Sequence, residues 1–177
     1  LSHSKFICPD YALFLNLSND HLDCHGGKKD YLNSKLKIFS LQKKKDFAII
    51  NKNLKKKIKK KKILFKLILP KITDYRKIKK KIKNYYLSSN INDENMSFVF
   101  TLSKLLKIRE KYFYKAMESF KGLSHRFEIF LQRGNIIFIN DSKATSFTAA
   151  ESALRSLKNV YWIFGGLPKR NDKLALS

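Results

Sequence analysis

Five short runs of β-branched and aromatic residues punctuate the chain, at 11–17, 47–51, 63–69, 136–139 and 160–164. Each is short for a buried helix and is bounded by polar or turn residues, so each reads as a strand. Phe127 to Leu131 precedes the fourth run, and the turn pair Gly134-Asn135 makes the two a hairpin-like pair. Between the runs the apolar period lengthens. Lys28 to Leu41 reads as a helix, and Lys71 to Lys83 repeats the pattern with Ile72, Tyr75, Ile78 and Ile82 behind a basic face. A third helix opens at Asn92 with Met96, Val99, Phe100 and Leu106 on its buried side. A fourth runs from Ile108 to Phe120 through Tyr112, Phe113 and Ala116, with Gly122 as its C-cap. Thr148-Ala-Ala-Glu151 has the spacing of a capping box opening a helix to Leu157, ahead of a buried strand at Val160 to Phe164. Strands alternating with helices predict an α/β protein. The domain boundary is placed at Gly122-Leu123-Ser124, dividing residues 1–122 from 123–177, where strand, loop, helix and strand form a Rossmann-like start.

Within the first helix, Lys35 has Tyr31 and Leu32 one turn before it and Ile38 and Phe39 one turn after, which places it on the apolar stripe. Lys37 has Asn33, Ser34 and Ser40 as neighbours and belongs to the wet face. An ammonium held against an apolar face is penalised by desolvation, and the neutral amine becomes available for chemistry. The residues alone leave a second reading open, a stem snorkelling along the core edge.

Composition changes this picture little. Apolar residues make up 44% of 177, enough for a core, and no apolar run approaches the roughly 20 residues of a membrane span. With only Cys8 and Cys24 a disulfide framework is not indicated, which suits a reducing cytoplasm. A net charge of +24 would ordinarily point to nucleic acid or an anionic surface. Yet only six of the 38 basic residues are Arg, the preferred base and phosphate reader, and Ile and Asn are in excess alongside Lys. That combination fits an A/T-rich coding bias. Eight of residues 52–62 are Lys, a density that repels itself and stays solvated, so this stretch reads as a surface connection.

Candidate chemistry gathers where two apolar runs end. Ser18 to His25 follows the first, and Asn140, Asp141, Ser142, Lys143 and Thr145 follow the fourth. Ligands bind beyond the carboxyl ends of strands in open α/β sheets, where an Asp can meet a ribose hydroxyl and a Lys a phosphate. Polar turns are the plain alternative. Asp20, His21, Asp23, Cys24 and His25 could suggest zinc, but adjacent residues of one loop rarely converge on a tetrahedral ion. Asn92 and Asn95 stand in the first turn of a helix, as caps or as amides able to match an adenine edge.

Four strings carry a resemblance. These are N-L-S-N-D-H-L-D at 16–23, Y-L-N-S-K-L-K-I-F at 31–39, the N-x-x-N pair Asn92 and Asn95, and H-R-F-E at 125–128 followed by N-D-S-K-A-T at 140–145. Together they resemble the bacterial Mur ligases, and within them the D-glutamate-adding branch. The likeness is strong at 11–39 and 120–145 and weak through the Lys-rich middle. It implies part of a P-loop-type central domain followed by the start of a Rossmann-like C-terminal domain. The implied activity is ATP-dependent addition of D-glutamate to UDP-N-acetylmuramoyl-L-alanine through an acyl phosphate, in peptidoglycan precursor synthesis for the cell wall, with magnesium. By the same resemblance His21 serves the magnesium and phosphate site. Lys35 is carbamylated and helps hold a second magnesium ion. Asn92 and Asn95 meet adenine, and Arg126 and Asp141 contact ATP, the latter at the ribose. Lys143, Thr145 and Lys169 lie near the phosphates and D-glutamate, Lys143 with a catalytic part. A cytoplasmic monomer with no nucleic-acid partner and no membrane span is expected.

Departures accompany the likeness. No G-x-x-x-x-G-K-[ST] loop occurs, Ser2 stands where an acidic metal ligand is expected, Cys24 where Arg is common, and Leu167-Pro168 interrupt a loop that is usually richer in Gly. The chain opens on Leu1 and ends at Ser177, and it reads as a fragment lacking the N-terminal domain, the P-loop and most of the C-terminal domain. Such a fragment is expected to be inactive alone. Two other readings stand beside this one: a sibling Mur or folylpolyglutamate-type ligase, and a basic nucleic-acid-binding protein marked by steep salt dependence.

Overall fold

The computed structural model describes residues 8–17, 28–58, 64–167 and 173. The chain separates into two compact units, Leu1–Tyr75 with Glu94–Ile108, and Arg76–Asp93 with Arg109–Ser177.

The first unit is built on a parallel sheet of β1 (Tyr11–Phe14), β2 (Phe47–Ile50) and β3 (Lys66–Ile68), in that order. Tyr11 lies beside Phe47 and Phe14 beside Ile50, while Phe47 also faces Lys66 on the other side. Parallel neighbours need long crossovers, and here α1 (Lys28–Leu36) and α2 (Lys55–Ile58) lie in them. Ala48, Ile49 and Ile50 are all at 0% exposure, so the central strand is covered on both faces, as its unbroken apolar run requires. One face packs Ala12, Phe14, Ala48 and Ile50 against Leu36 and Phe39, with Leu54 and Ile58 closing the cluster. Phe39 belongs to a short 3-10 turn, Lys37–Phe39, that continues α1 and tilts its ring against Phe14 and Phe65. The helix expected over 28–41 therefore forms, tightening at its end. The strands expected at 11–17 and 63–69 are shorter than their apolar runs, and Ile63 lies outside the described residues.

Two helices, α3 (Ile72–Lys79) and α5 (Asp93–Leu105), contain the points at which the units divide. Tyr75 of α3 is fully buried, as its stripe predicts. On α5, Met96 and Phe100 are buried as expected, but Phe98 takes the place expected of Val99, and Val99 and Leu106 are exposed. Ser97 and Ser103 are buried beside them and satisfy their hydroxyls on the helix's own carbonyls, which lets polar residues share the covered face.

The second unit holds α4 (Tyr85–Ser88), α6 (Glu110–Ser119), the antiparallel hairpin β4 (Glu128–Arg133) and β5 (Ile136–Asn140), and α7 (Phe147–Ser156). Asn84 ties it together locally: its Oδ1 accepts the Leu87 amide at the start of α4, and its Nδ2 donates to the Met117 and Phe120 carbonyls at the end of α6. Gly122, past that end, takes φ +86, the left-handed geometry foreseen for a cap. Four expectations need correction here. Only Phe113 of the α6 stripe is buried, with Ile108, Tyr112, Ala116 and Phe120 exposed. Ile136 to Phe138 form a strand but not a buried one, because the hairpin is a two-stranded sheet whose apolar side chains stand out at up to 62% exposure. The cap of α7 is Ser146, whose Oγ accepts the Ala149 amide, so Thr148 lies inside the helix and Glu151 pairs with Arg155 instead. Val160 to Phe164 is not a strand, since no neighbour among the described residues offers it a ladder. Its rings cluster instead: Trp162 stacks on Phe164 at 4.4 Å, and Phe147 meets both edge-on.

Candidate functional site

Phe14 ends β1, so its ring marks the carboxyl edge of the sheet. Above that edge stands Lys35, in the last turn of α1, its Nζ 5.8 Å from the Phe14 ring and 4.6 Å from the Tyr31 ring. The Tyr31 contact is the i to i+4 neighbour that the helical stripe foresaw. The Phe14 contact adds what the helix alone could not show, that the half-buried amine sits at the ligand edge. Lys37 is exposed, as expected of the wet face. Among the described residues no carboxylate pairs with Lys35, and the two aromatic faces attract its charge.

In the second unit the two most distinctive strings are stitched into one another. The Phe127 amide donates to Asp141 Oδ1 at 2.9 Å, the Lys143 amide to the His125 carbonyl at 3.0 Å, and Asn140 Nδ2 lies 2.9 Å from His125 Nδ1. The His125 amide donates to Glu128 Oε2 at 2.7 Å, so that H-R-F-E also closes on itself. His125 and Phe127 adopt φ +63 and +48, left-handed values that cost a non-glycine residue energy and hold only where neighbours enforce them. Their effect is to present Arg126, between them, as an exposed side chain on a pinned backbone. Lys143 and Thr145 are exposed just beyond Asp141, in a turn held by the Ala144 amide on the Asp141 carbonyl.

An open, shallow cavity of about 630 Å³ lies between Ser88–Ile91, Phe127 and Arg155–Leu157. Asn92 stands directly behind this wall: it is buried, and its Nδ2 donates to the Tyr86 carbonyl at 2.7 Å with Ser89 Oγ at 3.3 Å. The structure thus brings Asn92, Arg126 and Asp141 to one neighbourhood of the second unit. Asn95 is exposed on α5 and is not joined to them by any described contact. Asp93, which follows Asn92, is almost wholly buried and receives Lys79 Nζ at 2.6 Å and Arg76 Nε at 2.7 Å. Burial pushes its pKa up, but the hydrogen bonds and charges of Lys79 and Arg76 outweigh that and hold the carboxyl below the usual range.

Residues 2–112 match the Mur ligase middle domain. The chain belongs to the Mur ligase family. Among the Mur ligases it resembles the UDP-N-acetylmuramoylalanine--D-glutamate ligase of Wolbachia sp. subsp. Brugia malayi, 31% identical over 95% of this chain and 37% of that protein. The ligase of the same name from Rickettsia prowazekii is 32% identical over 89% of this chain and 40% of its own length. That from Bacillus mycoides is 34% identical over 93% and 40%. The chain spans about two-fifths of the length of these curated relatives. The α/β reading and the family expectation therefore hold.

Among the described residues no group of three or more His, Cys, Asp or Glu side chains could hold a metal ion. His21, Lys169, Ser2, Cys24 and the Ser18 to His25 cluster lie outside the described residues, as does Pro168. No helix among the described residues is long and apolar enough to cross a membrane. Sequence reasoning missed Ser89, Phe127 and Asp93. Phe127 stood inside a quoted string and could have been flagged; Asp93 takes partners 14 and 17 residues away, which no local pattern reveals.

Proposed function

We propose that the protein carrying this chain is an ATP-dependent ligase that joins D-glutamate to UDP-N-acetylmuramoyl-L-alanine, in the cytoplasmic stage of peptidoglycan precursor synthesis. The observation that carries the reading is the stitching of H-R-F-E to N-D-S-K-A-T beside the cavity that Asn92 backs. In this reading the muramoyl-alanine carboxylate attacks the γ-phosphorus of ATP, ADP leaves, and an acyl phosphate forms. The D-glutamate amine then attacks the acyl carbon, phosphate departs, and the nitrogen loses a proton as the amide forms.

Each step accumulates negative charge where lysine and backbone donors can meet it. Asp141 has one oxygen committed to the Phe127 amide and is oriented by it, leaving its other oxygen for a ribose hydroxyl. Arg126 is presented to the nucleotide, Asn92 and Asn95 to adenine, and Lys143, Thr145 and Lys169 to phosphate and D-glutamate. Lys35, once carbamylated, would exchange its ammonium for a carboxylate at the edge of β1 and join His21 as a ligand of magnesium, which neutralises phosphate charge when bound. The described residues alone do not make that ion's site. The division at Gly122-Leu123-Ser124 belongs to the same proposal, as the place where the ATP-binding part gives way to the amino-acid-binding part.

The test is release of ADP and phosphate by the full-length protein with UDP-N-acetylmuramoyl-L-alanine present and amino acids added one at a time. Turnover is expected only with D-glutamate and is expected to be abolished in Lys35→Ala, with a loss of at least about 100-fold. The chain of residues 1–177 alone should release no ADP. Turnover with another amino acid in place of D-glutamate would assign a sibling ligase. No turnover with any, together with salt-dependent RNA or DNA binding, would overturn the ligase reading.

A further inference from the structure

Asp93 offers two carboxylate oxygens, and each holds its own cation: Oδ1 takes Lys79 Nζ and Oδ2 takes Arg76 Nε. The Asp93 side chain is only 5% exposed and that of Lys79 16%, so this pair is desolvated, while Arg76, 61% exposed, reaches it from the surface. Lys79 also donates to Asn90 Oδ1 at 2.7 Å. One ammonium therefore grips both ends of the short 3-10 turn Asn90–Asn92 that leads into α5. Inside that turn lies Asn92, its amide nitrogen bonded to the Ser89 carbonyl at 3.2 Å and its side-chain Nδ2 to the Tyr86 carbonyl.

We propose that Asp93, clamped by Lys79 and Arg76, is a positioning residue for purine recognition, fixing the turn that sets where the Asn92 amide meets the base. The proposal rests on the nucleotide-binding reading above. Asn92 directs its two Nδ2 hydrogens to the Tyr86 carbonyl and to Ser89 Oγ, so Oδ1 is the part of the amide left for a base, and it can only accept a hydrogen bond. An acceptor suits the exocyclic amino group of adenine and opposes the carbonyl that guanine carries at the same ring position. Discrimination by a single acceptor depends on where that oxygen stands, and a displaced turn would blunt it. Among the described residues no hydrogen bond or ion pair joins the cluster to Lys143, so loosening it should alter nucleotide use without altering the chemical step.

The experiment uses the full-length protein and measures kcat, KM for ATP, KM for D-glutamate, and turnover with GTP in place of ATP. Asp93→Asn and Lys79→Gln are expected to raise KM for ATP about tenfold and to narrow the preference for ATP over GTP, with kcat and KM for D-glutamate within about twofold of the parent. Lys79→Arg, which keeps a cation at the carboxylate, should restore both. Arg76 is largely exposed, so Arg76→Gln gives a milder variant that should fold and show a smaller shift in the same direction. Asn92→Ala separates the two levels of the argument. If Asn92→Ala raises KM for ATP while Asp93→Asn and Arg76→Gln leave it and the ATP preference untouched, the positioning role is overturned and the nucleotide reading stands. If Asn92→Ala itself leaves KM for ATP unchanged, the nucleotide reading of this turn falls and the positioning role falls with it. Equal losses in kcat and both KM values, unrescued by Lys79→Arg, would reduce the cluster to a stabilising one and also overturn the proposal.

Discussion

Replacing Asp141 by Ala should release the turn that presents Arg126. In the parent, His125 and Phe127 sit at positive φ, and two such non-glycine residues cost about 2–6 kcal/mol together. The bonds on hand to hold them are the His125 amide on Glu128, the Lys143 amide on the His125 carbonyl, and the Phe127 amide on Asp141 Oδ1. A hydrogen bond to a charged acceptor contributes about 1.5–3 kcal/mol, and Asp141 is half-buried, so the lower end applies. Losing ~1.5 kcal/mol of local stability should speed exchange of the Phe127 amide about tenfold. Asp141→Asn keeps an oxygen acceptor without the charge and should give an intermediate rate. The assay is amide hydrogen exchange on the full-length protein, read on peptides spanning 125–131, with those covering β2 as the internal standard. An exchange rate in Asp141→Ala equal to the parent's would show that the carboxylate does not hold the turn, and the account of Arg126 presentation would fail with it.

Acid should probe the Asp93 cluster. A carboxyl whose folded pKa is depressed contributes stability above its unfolded value, near 3.8, and loses that contribution as pH falls through the lower folded value. The parent is therefore expected to lose melting temperature below about pH 4 more steeply than Asp93→Asn; parallel acid slopes for the two would contradict the ion-cluster assignment. Among the described residues the buried Tyr114 hydroxyl has no hydrogen-bond partner, and burial followed by the charge of Glu110 raises its pKa. Tyr114→Phe should consequently leave stability unchanged or raise it by ~1 kcal/mol in urea denaturation, and a clear loss would reveal an unseen partner.

The strands of the first sheet were legible because β-branched runs between polar turns leave few alternatives, and β2 had to be covered on both faces to keep Ala48, Ile49 and Ile50 from water. Lys35 was legible to one helical turn, through Tyr31, and no further: Phe14 reaches it across the fold. The two strings that marked the second unit lie side by side, Phe127 bonded to Asp141 and Lys143 to His125, since a hairpin with a two-residue turn must return its ends together. What the hydrophobic pattern could not show is which apolar face finds cover. The stripe of α6 and the strands β4 and β5 carry the expected periods, yet most of their large side chains stay exposed. Val160 to Phe164 failed for a related reason, since an extended run becomes a strand only when another strand takes its backbone bonds.

The packing of Trp162 on Phe164 and Phe147 has a practical side. Trp162 is the sole tryptophan of the 177 residues. Its emission will therefore report the surroundings of the α7 start and will be blind to the core of β1, β2 and β3. A fluorescence melting curve followed at tryptophan wavelengths records the loosening of one aromatic cluster. Far-ultraviolet dichroism weighs every helix and strand instead, and a gap between the two curves would measure how separately the two units come apart.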